Sequence, residues 1–365
     1  MAPVFHQLKK SCHVEICLTA QHREMLDQVM AIFEMEANYD LDIMSPDQSL
    51  TQITSRVLEG LEDCYRQAAP DYVFVHGDTT TTFAASLAAF YRQIPVCHVE
   101  AGLRTGNIYS PFPEEMNRRL TSSIATFHFA PTNRSRDNLL GEGVAPEKIF
   151  VTGNTAIDAL QMAARSLVEA PVDSLFRPGC RKILVTAHRR ENFGQGMENI
   201  CRAILDIVGQ LGDAHVIIPV HYNPNVRSVV KGILGNHRDV TLIDPLEYRG
   251  FVQLLTEADL IITDSGGVQE EAPSLGKPVL VMRECTERPE AVEAGTVILV
   301  GTDPSRITSE AVKLLTDRGY FEQMARAINP YGDGKAAARI ASFIEYVLGI
   351  RERDTVLEPF TCNSH

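Results

Sequence analysis

The sequence predicts an α/β protein built from two doubly wound parallel-sheet halves. Short apolar runs alternate with amphipathic stretches along the whole chain, which is typical of parallel strands whose connecting helices cover both faces of a sheet. The length of 365 residues allows two domains with separate cores. The segment 168–181, which contains prolines and a glycine, is the predicted linker between them.

Each strand is predicted from a short apolar run bounded by polar or turn residues. In the first half these runs are Cys12–Thr19, Tyr72–His76, Pro95–Glu100, Thr126–Ala130 and Lys148–Thr152. In the second half they are Lys182–Thr186, His215–Val220, Val240–Ile243, Leu260–Thr263, Pro278–Met282 and Thr296–Val300. We expect residues 1–167 and 168–334 to form two domains with an active-site cleft between them, and residues 351–365 to form a frayed tail.

Composition and charge argue against several classes of protein. The charged share of 22% is ordinary for a globular enzyme, and no apolar run approaches the roughly 20 residues that cross a bilayer. The first residues lack the apolar stretch of a secretory signal, so we expect a cytoplasmic protein. A net charge of -13 repels phosphate backbones and argues against nucleic acid as a partner. The eight cysteines form no Cys-x-x-Cys pair and are predicted to be reduced, mostly core thiols.

Carboxylates follow two neighbouring strands of the first half. Asp78 comes just after one apolar run and Glu100 ends the next. Because parallel strands end at the same edge of a sheet, these acids are expected to converge where ligands bind. Glu114 and Glu115 follow in a predicted helix, where surface ion pairs with Arg118 and Arg119 are the alternative to a role in the cleft.

The second half carries basic and glycine-rich strand ends. His188 leads an Arg-Arg pair directly after a predicted strand, although a structural histidine remains the alternative. Ser265, Gly266 and Gly267 form a turn before a helix and suit a phosphate, while either Glu270 or Glu271 could accept hydrogen bonds from a ribose diol. A glycine turn whose acids merely complement the helix dipole is the alternative. His76, His98 and His221 are interpreted as structural or binding residues.

No set of His, Cys, Asp and Glu has the spacing of a metal site, and neither a metal nor a cofactor is expected. Nine longer motifs occur in order along the chain: Thr19–Gln28, His76–Thr82, His98–Thr105, Pro113–Arg118, Val151–Thr155, Thr186–Asn192, Asp264–Pro273, Glu287–Glu290 and Asn329–Gly334. With these motifs the chain resembles the non-hydrolysing UDP-N-acetylglucosamine 2-epimerases over nearly its whole length.

The resemblance implies a GT-B fold, in which two Rossmann-like domains enclose a nucleotide-sugar cleft. It assigns UDP binding to the second domain and implies that the final helix, at 335–350, packs back on the first domain. The implied reaction interconverts UDP-GlcNAc and UDP-ManNAc, through anti elimination of UDP to 2-acetamidoglucal and re-addition, for surface polysaccharide synthesis. It requires positioned acid/base groups at C2 and stabilisation of the departing diphosphate.

By position in the matching motifs, the resemblance implies the following roles. The catalytic residues are Asp78, Glu100, Glu114 and His188, and the substrate-binding residues are Arg118, Ser265, Gly266, Gly267 and Glu271. An activator site for a second UDP-GlcNAc is implied at Gln21, His22, Glu24, Arg189 and His221. The resemblance also implies a homodimer.

The chain departs from the family pattern at its start. Family members begin with a strand and a Gly-Thr-Arg-Pro-Glu loop that lead into Met-Ala-Pro, whereas this sequence starts at Met1-Ala-Pro. The missing strand would be central, so its loss is expected to leave a gap in the sheet and unpaired backbone groups. A start codon assigned too late is the favoured explanation. An artificially truncated chain or a natural short form without activity are the alternatives.

Two other functions remain open at this point. A GT-B glycosyltransferase would share the fold and the UDP-holding loop. A truncated, inactive nucleotide-sugar-binding protein would keep the cleft without the chemistry.

Overall fold

The structure is a computed structural model that describes residues 1–19, 23–45, 47–169 and 173–362. The chain divides into two compact units. The first comprises Met1–Ala159 and Tyr331–Thr361, and the second contains Leu160–Pro330. The divisions at 159 and 330 lie a little before the predicted boundaries at 167 and 334.

The first unit alternates helices and strands from its first residues. In chain order its elements are α1 (Ala2–Leu8), β1 (Cys17–Leu18), α2 (Arg23–Ile32), β2 (Tyr39–Asp40), α3 (Leu50–Ala68), β3 (Val73–His76), α4 (Thr80–Tyr91), β4 (Val96–Val99), α5 (Glu114–Ile124), β5 (Phe127–Ala130), α6 (Asn133–Gly141), β6 (Ile149–Val151) and α7 (Thr155–Glu169). Helix α7 spans the division between the units. Helix α4 begins where the Thr79 hydroxyl accepts a hydrogen bond from the Thr82 amide, as is usual for a threonine N-cap.

The strands of the first unit lie in two separate sheets among the described residues. β1 pairs in parallel with β2, and β3, β4, β5 and β6 form a four-stranded parallel sheet in that order. The predicted strand Cys12–Thr19 is limited to Cys17–Leu18, which pair with Tyr39 and Asp40. The partner strand, Tyr39–Asp40, was not predicted from the sequence.

The second unit has one continuous sheet. Its elements are β7 (Arg181–Thr186), α8 (Gln195–Leu211), β8 (Ala214–Pro219), α9 (Pro224–Leu234), β9 (Val240–Ile243), α10 (Tyr248–Glu257), β10 (Leu260–Thr263), α11 (Gly266–Glu271), β11 (Val279–Val281), α12 (Pro289–Glu293), β12 (Val297–Leu299), α13 (Pro304–Thr316) and α14 (Arg318–Ala325). All pairs are parallel, in the order β12-β11-β10-β7-β8-β9. Because β7 lies in the middle with β10 and β8 on either side, the strand order reverses at β7, which is where a doubly wound sheet binds ligands.

The final helix, α15 (Ala336–Val347), belongs to the first unit. Phe343 packs against Phe127, Phe129 and Phe150 of the four-stranded sheet. The N-cap residue of this helix provides no side-chain cap. Instead, the Asp158 carboxylate of α7 accepts hydrogen bonds from the amides of Ala336 and Ala337, at 3.2 and 2.9 Å. A side chain distant in sequence therefore caps the helix and fixes its amino end.

The residues after this helix also pack on the first unit. Phe360 is buried, its amide donates to the Val151 carbonyl at 2.8 Å, and its ring lies beneath the Arg339 guanidinium. The sequence predicts a frayed tail at 351–365 because this segment lacks periodicity. The structure differs over 351–362, since the edge strand β6 offers the segment a backbone partner, and residues 363–365 lie outside the described range.

The cysteines are free thiols. Cys64, Cys97 and Cys201 are buried as predicted, whereas Cys285 is exposed. Among the described residues, no helix combines the length and apolar character needed to cross a membrane.

Candidate active site

The carboxyl end of β3 holds the first predicted acid, Asp78. The Arg118 guanidinium of α5 lies 2.5 Å from the Asp78 carboxylate, and the Asn117 amide donates to the Asp78 carbonyl at 3.0 Å. Both residues of α5 are buried, with Arg118 only 9% exposed. The carboxylate itself stays partly exposed, at 28%. Helix α5 therefore fixes Asp78 at the sheet edge while leaving it accessible.

Glu100 follows β4 at the same edge. Its backbone has φ of +64°, a left-handed conformation that costs energy for a residue other than glycine. The Glu100 Oε2 atom lies 3.2 Å from His76 Nε2 and 3.7 Å from the position of a Cβ built on Gly77. Burial lowers the pKa of His76, so the ring that faces Glu100 is neutral. The predicted convergence of Asp78 and Glu100 on one edge is thus present in the structure.

The two adjacent glutamates of α5 have different environments. Glu115 is completely buried and accepts hydrogen bonds from the Thr105 and Gly106 amides and from Arg118 and Arg119. Burial alone would raise the pKa of Glu115, but the Thr105 amide and the Arg118 charge lower it. Glu115 therefore holds the preceding loop.

Glu114 begins the helix and is only partly buried. Its Oε2 atom is buried without a hydrogen-bond partner among the described residues. It lies one helical turn before Arg118, on the same side of α5. The alternative prediction, a surface ion pair between Glu114 and Arg118, is not confirmed, because Arg118 pairs with Asp78 and Glu115 instead.

In the second unit, Asp264 connects two strand ends. This carboxylate is fully buried after β10 and accepts hydrogen bonds from the amides of His188 and Arg189, at 2.9 Å each, and from the Asn192 side chain at 3.0 Å. His188 Nδ1 lies 3.2 Å from it. Burial would raise the pKa of Asp264, but these donors lower it, the His188 side chain most strongly.

The Asp264 contact orients His188. Because the carboxylate can only accept, Nδ1 carries the proton that faces Asp264, and Nε2 is the nitrogen left to face a ligand. The ring is 43% exposed and stacks on that of His221, with centroids 6.1 Å apart. This is the carboxylate–histidine arrangement that sets a tautomer in acid/base and anion-binding sites.

Cationic groups surround the predicted phosphate turn. A Cβ built on Gly266 would lie 3.5 Å from the Arg288 guanidinium carbon and 3.6 Å from an Arg189 nitrogen. Gly267 has no such neighbour within 4 Å. Ser265 is the N-cap of α11, but its hydroxyl makes no cap hydrogen bond. The backbone amides and two guanidiniums thus converge where an anion would sit.

The structure distinguishes the two glutamates of α11. Glu270 is buried and pairs with Arg288 at 2.7 Å. Burial, with the Glu270 charge adding to it, raises the pKa of Glu271 to about 7. Of the two glutamates predicted to accept hydrogen bonds from a ribose, only Glu271 is therefore available to a ligand.

The predicted activator residues are only partly described. Gln21 and His22 lie outside the described residues, and the side chain of Glu24 is not described. Arg189 lies at the Gly266 turn and His221 lies against His188, so these two belong to the same site as the predicted substrate contacts. Within the described ranges, no cluster of three or more His, Cys, Asp or Glu could hold a metal ion.

Sequence reasoning missed three residues of this arrangement, Asp264, Arg288 and Asn117. Asp264 had a usable signal, because it follows the apolar run Leu260–Thr263 just as Asp78 follows an apolar run in the first half. Arg288 and Asn117 had none, since each acts through a neighbour distant in sequence. Arg118 was predicted to contact substrate, and the structure places its charge on Asp78 and Glu115.

Comparison with known proteins identifies relatives that match almost the entire chain. The sequence profile described as UDP-N-acetylglucosamine 2-epimerase matches residues 6–345. The UDP-N-acetylglucosamine 2-epimerases of Escherichia coli strain K12 and Salmonella typhimurium are 57% and 55% identical over 350 residues, which is 93% of each chain. The crystal structure of Neisseria meningitidis UDP-GlcNAc 2-epimerase bound to UDP-GlcNAc has a TM-score of 0.84 and 50% identity, and covers 96% of both chains.

The parallel-sheet units and their strand-end sites define an α/β protein of the GT-B class, as predicted. Within that class, the chain belongs to the UDP-N-acetylglucosamine 2-epimerase family. The predicted family is confirmed.

Substitution of Asp264 tests its role as the common acceptor. Asp264→Asn places an amide against the His188, Arg189 and Asn192 donors and should lower the free energy of unfolding by about 2–4 kcal/mol. Asp259→Asn is the matched control, because Asp259 joins the opposite ends of β10 and β7 through one Lys182 amide. It should cost about 1 kcal/mol. Urea unfolding curves measure both, and equal losses would contradict the assignment.

Proposed function

We propose that this protein interconverts UDP-GlcNAc and UDP-ManNAc without hydrolysis. The observation that carries the proposal is the pair of carboxylates, Asp78 and Glu100, that ends β3 and β4. Inversion at C2 removes a weakly acidic proton from one face of the sugar and returns a proton to the other, which requires more than one positioned acid/base group. The family, whose relatives are named for this reaction, supports the same substrate.

The proposed reaction proceeds by anti elimination and re-addition. A carboxylate at the first unit's sheet edge takes the C2 proton as the C1–O bond to UDP breaks, which gives 2-acetamidoglucal and free UDP. UDP then adds back at C1 while C2 receives a proton on the opposite face. Asp78, Glu100 and Glu114 are the proposed proton carriers. No net oxidation occurs, and the proposal needs no cofactor.

The second unit is proposed to hold UDP. Negative charge develops on the diphosphate as the C1–O bond breaks, and fixed donors stabilise such charge best. His188, held by Asp264, and the amides of Ser265, Gly266 and Gly267 provide these donors. The guanidiniums of Arg189 and Arg288 flank the same turn. Glu271 is proposed to accept hydrogen bonds from the ribose, and Arg118 to act on the sugar side through Asp78.

Further properties follow from the proposed family role. We propose that the protein is a cytoplasmic homodimer and that its product serves surface polysaccharide synthesis. A second UDP-GlcNAc is proposed as an activator that contacts Gln21, His22, Glu24, Arg189 and His221.

Incubation with UDP-GlcNAc in deuterated water tests the reaction. NMR should show deuterium at C2 and the appearance of UDP-ManNAc, because the removed proton exchanges with solvent between the two half-reactions. UDP release that depends on an added sugar acceptor would instead indicate a glycosyltransferase. Binding with neither outcome would indicate a nucleotide-sugar-binding protein without activity. Either of these two results would contradict the epimerase proposal.

Glu271 predicts a pH dependence of substrate binding. A carboxylate accepts two ribose hydroxyls only when ionised, and with a pKa of about 7 it is mostly protonated at pH 6 and mostly ionised at pH 8. Affinity for UDP-GlcNAc should therefore rise up to about tenfold between these pH values. UDP-GlcNAc is the appropriate ligand for calorimetry because its diphosphate diester does not titrate in this range. Glu271→Gln is the control and should bind UDP-GlcNAc equally well at pH 6 and pH 8. If this variant shows the same rise in affinity as the unmodified protein, Glu271 does not accept hydrogen bonds from the ribose.

A further inference from the structure

Three successive backbone carbonyls, from the last residue of β3 onwards, are each held by a side chain from a different element. The Thr82 hydroxyl of α4 donates to the His76 carbonyl at 2.6 Å. His98 Nε2 of β4 hydrogen-bonds the Gly77 carbonyl at 2.7 Å, and the Asn117 amide of α5 donates to the Asp78 carbonyl at 3.0 Å. The direction of the peptide that carries Asp78 is therefore set by contacts from three elements.

Gly77 is the middle residue of this segment. Its φ of +69° lies in the left-handed region, which glycine adopts without strain. A Cβ at this position would lie 3.7 Å from the Glu100 carboxylate. Rotation of the Gly77 peptide would therefore move the Asp78 backbone, beside the Glu100 carboxylate.

The His98 ring is suited to hold this carbonyl. The side chain is fully buried, and burial lowers the pKa of His98 to about 4, so the ring is neutral at physiological pH. Because a carbonyl can only accept, Nε2 carries the single proton. Nδ1 is buried without a hydrogen-bond partner among the described residues, in keeping with an unprotonated nitrogen.

We propose that His98 is a positioning residue for the reaction, whose Nε2–H fixes the Gly77 carbonyl and through it the directions of the Asp78 and Glu100 carboxylates. This rests on the proposed epimerase function. The His98 hydrogen bond goes to a backbone carbonyl, so the ring acts through the backbone and not on the sugar. A displacement of about 1 Å at a reacting group can cost two orders of magnitude in rate, which is the scale on which this hydrogen bond would act.

His128 provides a matched control. It lies opposite His98 on the neighbouring strand β5, is 1% exposed, and likewise has a buried Nδ1 without a partner among the described residues. Burial lowers the pKa of His128 to about 4 as well. Its ring faces the Ala125 backbone instead of the 76–78 segment. The two histidines therefore differ in the contact that the proposal concerns.

The first test uses the unmodified protein. Two-bond 1H–15N spectra of histidine-labelled protein should show His98 as the neutral Nε2–H tautomer, unchanged from pH 6 to pH 8. An Nδ1–H tautomer or a charged ring would overturn the proposal, whether or not the protein turns over UDP-GlcNAc. If His98 has the expected tautomer but the protein does not convert UDP-GlcNAc, the result counts against the proposed function instead.

The second test uses two amides of different reach. The Gln side chain can place its nitrogen near the position of the imidazole Nε2, whereas the Asn side chain is one methylene shorter. His98→Gln should keep kcat within about fivefold, and His98→Asn should lower kcat about 10–100-fold with KM changed less than about threefold. His128→Gln and His128→Asn should have similar kcat values. Equal kcat in the two His98 variants, a loss mainly in KM, or the same split at His128 would overturn the proposal.

Discussion

The first unit's site depends on the buried Arg118 guanidinium. It pairs with Asp78, which must stay accessible, and with Glu115, which is fully buried and holds the loop before α5. A buried cation without partners would be very costly, so these carboxylates and Arg118 stabilise one another. Because Arg118 lies within α5 and Asp78 follows β3, this interaction fixes the helix against the sheet edge. The position of Asp78 is thereby a consequence of the packing of the unit.

The two units use opposite electrostatic arrangements. The first places the carboxylates Asp78 and Glu100 at the end of two neighbouring strands, as the proposed proton transfer at C2 requires. The second places Arg189 and Arg288 at a glycine turn and orients His188 through Asp264, which suits the proposed departure of a diphosphate. In both units a buried partner, Arg118 or Asp264, holds the exposed functional group in place. A chain with net charge -13 thus concentrates cations locally, as the proposed binding of a diphosphate requires.

Much of the fold could be predicted from the sequence, because the parallel strands are buried on both faces and appear as continuous apolar runs. The prediction that Asp78 and Glu100 lie at the same edge of the sheet followed from the same assignment of parallel strands. The local pattern could not distinguish Glu114 from Glu115, because adjacent helical residues differ only in the side of the helix they occupy and the buried side depends on how α5 packs. The short β1–β2 pair and the docking of Phe360 depend on partners distant in sequence, which no local pattern reveals.

The rate of deuterium incorporation at C2 in Asp78→Asn and Glu100→Gln tests the central claim most directly. With saturating UDP-GlcNAc, each variant should lose at least about 100-fold relative to the unmodified protein, because a positioned proton carrier contributes that much or more. Asp71→Asn, at the exposed amino end of β3, is the control and should exchange at the unmodified rate. Exchange at the unmodified rate in either Asp78→Asn or Glu100→Gln would contradict the account.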